Sequence, residues 1–216
     1  GPSSYSSSQT TGKGFFGQTE WIGGAGQATS TDAARYFDDD GNIEVSVSGV
    51  ASLKQVLGEY VSSAILTSSS FDAGPNTNFS QVLIQPGAQP PDTGLDSVRL
   101  QLATNDDGGV WNYLGPDGTA ATYYTAAETS VNAIHNSDRY IRYKLFLSTA
   151  STTLTPSVSD VFFTFTSSCV PPGQVVFSGL EAGIYTVTVS KSGFQSSVGT
   201  IDVQAAEQSL EVQMTP

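Results

Sequence analysis

The chain has 216 residues, with 8 Lys and Arg against 20 Asp and Glu and a net charge of −12. That balance speaks against nucleic acid and against an anionic membrane surface, since both require a basic face. Charged residues make up only 13%, about half the usual share. Gly, Ser and Thr take their place, the composition of a turn-rich, all-β extracellular protein long enough to bury one or two cores.

Residues 1–12 are Ser, Gln, Thr and Gly with one Tyr and read as a flexible lead. The Gly1-Pro2 start looks like the scar of a removed tag, so native sequence is expected upstream, with room there for a targeting or membrane segment. Neither a signal peptide nor a transmembrane run occurs in the sequence itself. Phe15 to Trp21 brings large apolar groups beside a glycine cluster, a strand and loop closing one edge of a core. From Ile43 the period-two signal is clear: Ile43, Val45 and Val47 alternate with polar residues. Ala51 to Tyr60 is a short turn or strand. Strands are predicted at Val61–Leu66, Gln81–Gln85, Val98–Thr104, Val110–Leu114, Ala121–Thr125 and Tyr140–Ser148, with Val161, Phe163 and Phe165 closing the series. Asn105-Asp-Asp-Gly-Gly is a hairpin turn signal. Pro171-Pro172-Gly173 marks a boundary, and beyond it come short strands at Val175–Phe177, Ile184–Ser190, Thr200–Val203 and Leu210–Met214. Such spacing is that of a sandwich. The organisation is therefore a lead (1–12), a larger β domain (13–169) and a small β segment (170–216).

Half of the eight cations fall on two of these strands. Arg99 sits in Val98-Arg-Leu-Gln-Leu-Ala-Thr-Asn105, and Arg139, Arg142 and Lys144 sit in Arg139-Tyr-Ile-Arg-Tyr-Lys144. Alternate side chains of a strand share a face. Val98, Leu100 and Leu102 therefore oppose Arg99, Gln101 and Ala103, and Ile141, Tyr143, Leu145 and Leu147 oppose Tyr140, Arg142, Lys144 and Phe146. If the strands pair, a face of Arg, Lys, Gln and Tyr lies above an apolar core. Like charges close together on it need an internal acid or an external anion. Cross-strand pairing with acids is the plainer expectation, and it contributes little at a surface.

Catalysis needs a nucleophile with a base, a carboxylate pair or a metal centre. His135 is the only histidine, and a solvated loop position is the simpler reading. Cys169 is the only cysteine. It can form no intrachain disulfide, and its apolar neighbours suggest a buried thiol; the alternative is a bond to a cysteine outside this sequence. One Cys and one His are too few for zinc, so no enzyme is expected. Asp38, Asp40 and Asn42 occupy alternate positions around Gly41, like the opening of a calcium loop. Position twelve is Gly49 rather than Glu, so this is no EF-hand, and an acidic turn is the simpler account. No cofactor is required; structural calcium at Asp38, Asp40 and Asn42 is the metal that the pattern allows. Trp111, Tyr113, Tyr123, Tyr124, Tyr140 and Tyr143 could stack on sugar rings or pack the core.

Two resemblances follow. Val176-Phe-Ser-Gly-Leu-Glu-Ala-Gly-Ile-Tyr-Thr-Val-Thr-Val-Ser-Lys-Ser-Gly-Phe194 resembles the carboxypeptidase-regulatory-like, transthyretin-like sandwich. Leu180, Gly183, Tyr185, Gly193 and Phe194 fall on that family's Gly-Leu turn, Gly-x-Tyr strand and closing Gly-aromatic pair, although its usual first strands are absent. The larger part is similar to discoidin-like or galactose-binding-like jelly rolls of bacterial surface proteins. It carries Leu66-Thr-Ser-Ser-Ser-Phe-Asp72, Val98 to Asn105, Trp111-Asn-Tyr-Leu-Gly-Pro-Asp-Gly-Thr119 and Arg139 to Lys144. The combination resembles the headgroup of large type IV prepilin-like proteins.

The expected fold is therefore all-β, a jelly-roll or β-sandwich domain plus a small immunoglobulin- or transthyretin-like segment. The resemblances imply a non-catalytic, extracellular cell-surface adhesion module, with pilus or cell-envelope subunits as partners through an upstream segment. A surface glycan or partner surface protein would sit on Arg99, Gln101, Trp111, Tyr113, Tyr140, Arg142 and Lys144. The alternatives are a purely structural pilus subunit and a carbohydrate-binding module accessory to a secreted enzyme.

Overall fold

The computed structural model describes residues 13–47, 49–167, 180–190, 193–204, 210 and 212–215. The chain divides into two compact units that part between Val176 and Phe177. Cys169, the Pro171-Pro172-Gly173 boundary and the strand expected at Val175–Phe177 lie outside the described residues.

Among its described residues the larger unit has strands as its regular structure, apart from two single turns of 3-10 helix. In chain order they are β1 (Lys13–Gln18), β2 (Asp38–Asp39), β3 (Ile43–Glu44), β4 (Ala51–Leu53), β5 (Gln55–Val56), β6 (Glu59–Tyr60) and β7 (Ser63–Thr67). There follow β8 (Phe71–Gln85), β9 (Val98–Asn105), β10 (Glu128–Ser130), β11 (Asp138–Ser148), β12 (Ser157–Val158) and β13 (Asp160–Thr166). All named strand pairs are antiparallel. This bears out the all-β sandwich.

One layer runs β10–β8–β13–β1 and the other β9–β11–β7–β2. The long strand β8 belongs to both. Its start pairs with β11, Phe71 opposite Ile141 and Asp72 opposite Tyr140. Its later part pairs with β13, from Asn78 opposite Thr166 to Gln85 opposite Asp160. Between them the chain turns a corner at Gly74 (φ 85°) and Asn76 (φ 54°), residue types that tolerate the left-handed region. The Asp72 carboxylate accepts the Gly74 N–H (3.0 Å), and the Thr77 hydroxyl donates to the Ala73 and Gly74 carbonyls. Strands that switch layers through such a bend are how sandwiches close their corners.

Between the layers lies one core. Val98, Leu100 and Leu102 of β9 and Ile141, Tyr143, Leu145 and Leu147 of β11 are all buried, the face that the alternation predicts. Across from them lie Val82, Ile84, Val161, Phe163 and Phe165. Aromatic rings join the layers: Phe16 stacks on Phe71 at 5.0 Å and on Phe163 at 5.4 Å, and Tyr143 meets Phe163 at 6.0 Å. The buried Tyr143 hydroxyl donates to Gln18 Oε1 (2.8 Å), which satisfies a group that would otherwise oppose burial. A small sheet, β12–β4–β3, contributes Ala51, Leu53 and Val158 to the same core.

Several expected elements differ. The alternation from Ile43 yields only the two-residue β3, and Val47 is exposed. Val110–Leu114 and Ala121–Thr125 are not strands; each touches β9 through one bridge, Leu114 to Leu102 and Tyr124 to Leu100. Gln81–Gln85 is only the end of β8.

The smaller unit contains an antiparallel pair, β14 (Gly183–Val189) and β15 (Ser197–Val203). Tyr185, Val187, Val189, Ile201 and Val203 are half-buried on one face, whereas Ile184 and Val198 on the other are exposed. The expected strand at Leu210–Met214 is not a strand where it is described.

Candidate functional site

β9 and β11 pair along their whole shared length, from Tyr140 opposite Asn105 to Leu147 opposite Val98. The outer face therefore carries Arg99, Gln101 and Ala103 beside Phe146, Lys144 and Arg142. In this register no cation faces a cation directly. Arg99 lies opposite Phe146, Lys144 opposite Gln101 and Arg142 opposite Ala103.

This face is roofed by the segment between β9 and β10. The Leu100 and Tyr124 backbones exchange N–H···O bonds of 2.9 Å, and those of Leu102 and Leu114 exchange bonds of 2.9 and 2.8 Å. Gln101, nearly buried, donates both its amide protons to the roof, to the carbonyls of Ala120 (2.9 Å) and Thr122 (3.0 Å). Asp117 braces the roof from within, accepting the Thr119 N–H and the Thr119 and Thr122 hydroxyls. Those bonds hold its carboxyl below the ordinary carboxylate range. Gly115 is buried where Thr122 crosses it so closely that a Cβ would overlap the Thr122 carbonyl.

The roof delivers aromatic rings to the cations. Arg99 lies 4.9 Å from the Tyr123 centroid, and Tyr123 meets Phe146 edge-on at 5.2 Å. The Lys144 ammonium is 4.4 Å from the Tyr113 ring. The Arg142 guanidinium lies between two rings, Phe37 at 4.2 Å and Trp111 at 4.9 Å. Such contacts contribute roughly 0.5–1 kcal/mol when exposed and about 2 when desolvated. Arg142 is only 8% exposed; burial lowers its pKa, with Tyr113 opposing. Its Nη2 donates to the Ala28 carbonyl (2.8 Å), while its Nε, like that of Arg99, is buried without a hydrogen-bond partner. Burial likewise raises the Tyr113 hydroxyl, with Arg142 pulling it back.

The expected acidic partners are therefore corrected. Arg139 pairs with Asp72, whereas none of Arg99, Arg142 and Lys144 has an acid among the described residues. Aromatic rings take that role because the roof folds over the face. Tyr140 shares the face beyond Arg142 and supports the Arg139 guanidinium at 4.9 Å. Of the seven expected ligand residues, Arg99, Gln101, Arg142 and Lys144 thus lie beneath the roof, Trp111 and Tyr113 belong to it, and Tyr140 lies at the far end. Tyr124 and Tyr143 are fully buried core rings. Phe146 was readable as a neighbour from its parity with Lys144, whereas nothing in the sequence places Phe37 over Arg142. Nearby, Phe16, Gly17, Thr29, Ser30, Phe71 and Asp72 line a shallow depression of about 250 Å³.

The Asp38–Asn42 turn has a structural explanation. Asp40 accepts the Asn42 N–H (3.0 Å) and the Ile65 N–H (3.0 Å), and Asp39 accepts the Tyr36 hydroxyl (2.6 Å) and the Gly41 N–H (2.6 Å). Asp38 is exposed on β2. Among the described residues no three His, Cys, Asp or Glu side chains converge as a metal set.

His135 is not solvated but 2% exposed, at the end of the 3-10 turn Ala133–His135. The Thr104 hydroxyl donates to Asp138 and meets His135 Nδ1 at 3.1 Å. That hydroxyl has a single proton, so Nδ1 carries the hydrogen and Nε2 is the buried, unpartnered acceptor. Burial lowers the pKa of His135 to about 4.

No family model, curated protein or solved structure matches this chain.

Proposed function

We propose that the chain is a non-catalytic surface module of an exported protein, holding a saccharide against the solvent-facing side of the roof over β9 and β11. The observation that carries this reading is the half-buried pair Trp111 and Tyr113, each with a cation against its ring. The remaining surface of such rings is suited to stacking on a sugar, with a few polar groups fixing orientation. Gln101 and Arg142 act as struts to backbone carbonyls, so ligand contact falls to Trp111, Tyr113, Lys144, Arg99 and Tyr140. A cell-surface setting among pilus or envelope subunits is what the type IV pilin-like resemblance offers. The struts favour a second reading, a purely structural subunit.

A glycan array with the intact protein separates the two. Trp111→Ala and Tyr113→Ala are expected to weaken binding at least tenfold while circular dichroism keeps its β signature. A wild-type protein that binds no glycan would leave the structural reading.

A further inference from the structure

We propose that the saccharide is acidic and that Arg99 and Lys144 take its carboxylate together. This rests on the saccharide reading above. The register makes the two cations diagonal neighbours on adjacent strands, a separation of about 7 Å that long side chains can bridge. Arg142 lies two residues from Lys144 on the same face. The chain carries 20 acids, yet none pairs with these three cations among the described residues.

Three other cations of the larger unit have hydrogen-bond acceptors. Arg139 is held by Asp72 through two hydrogen bonds of 2.9 and 2.7 Å. Arg35 donates to the Ala25 carbonyl, and Lys54 reaches the Gly41 carbonyl. Arg99 and Lys144 are half-buried and have rings but no hydrogen-bond acceptor among the described residues. A ring offsets charge but leaves N–H directions open. A carboxylate would fill them with charge-assisted bonds and cancel the repulsion between neighbouring cations. Trp111 and Tyr113 beside these cations favour a sugar acid over an acidic peptide, because ring stacking suits a pyranose.

The test is calorimetric titration of the intact protein with an oligogalacturonate and with its neutral methyl ester, at low and physiological salt. The acidic form is expected to bind at least tenfold more tightly, with the preference shrinking as salt rises. Lys144→Gln and, separately, Arg99→Gln should each erase the preference, and Lys144→Arg should restore most of it; melting curves confirm folding. Salt sensitivity of the wild type stands as evidence even if one variant fails to fold. Equal affinity for both forms would overturn the acidic ligand while leaving the saccharide reading in place. Binding of poly-glutamate but of neither oligosaccharide would overturn the sugar. Binding of no glycan on the array defeats the underlying reading itself.

Discussion

The two faces of the β9–β11 ladder are buried by different chemistry. The inner face is Val, Leu, Ile and Tyr, covered by the facing layer. The outer face is Arg, Lys and Gln, covered by a loop that contributes rings and carbonyls. Apolar burial is non-directional and tolerates repacking. A cation beneath a ring holds only while the ring is in place. The inner face should therefore dominate stability, and the outer face should depend on the loop's geometry.

The largest effect should come from the inner face. Leu102→Ala is expected to cost about 2–5 kcal/mol by chemical denaturation, the range for a fully buried leucine. An equal loss from Lys144→Ala would erase the distinction between the faces.

At the end of that face His135 adds a pH dependence. Its folded pKa of about 4 lies below the unfolded value of about 6.5, so the unfolded state binds the proton more readily. The stability that this neutral histidine preserves is complete above pH 6.5 and is lost as pH falls toward 4, up to about 3 kcal/mol. A His135→Gln variant should lose that part of the slope in this window. An unchanged profile would show that His135 is solvated after all.

For the outer face, Gly115→Ala is the sharpest probe. The new methyl would meet the Thr122 carbonyl, which is backbone and cannot rotate away. A loss of about 1–3 kcal/mol is expected, with glycan binding falling further than stability. A neutral outcome would mean that the roof adjusts freely.

The smallest effect belongs to the exposed Arg139–Asp72 pair. Its side chains are 42% and 40% exposed, and Arg139→Gln should cost no more than about 1 kcal/mol. Calcium belongs at this end of the scale too. The Asp40 carboxylate already accepts two backbone N–H groups, so millimolar calcium should leave the melting temperature unchanged. A rise would establish Asp38, Asp40 and Asn42 as a calcium site.

The same contrast explains what could be read beforehand. The inner face was legible because period two marks it residue by residue. β8 was not, because Asp72-Ala-Gly-Pro-Asn76 looks like a break. It is instead the corner at which one strand passes between layers. Val110–Leu114 and Ala121–Thr125 looked like strands because they alternate, but each meets β9 through a single bridge. The cations and Trp111 and Tyr113 were found from composition and parity. Their pairing with rings rather than acids was hidden, since it depends on a loop of about twenty residues folding back, which local pattern does not encode.

A double-mutant cycle on Arg142 and Trp111 tests the cation–aromatic layer most directly. Arg142→Gln, Trp111→Ala and the double variant, measured by equilibrium denaturation, should show a coupling of about 0.5–2 kcal/mol that survives high salt, because the pair is partly desolvated. Additive losses, with no coupling between the two positions, would contradict it.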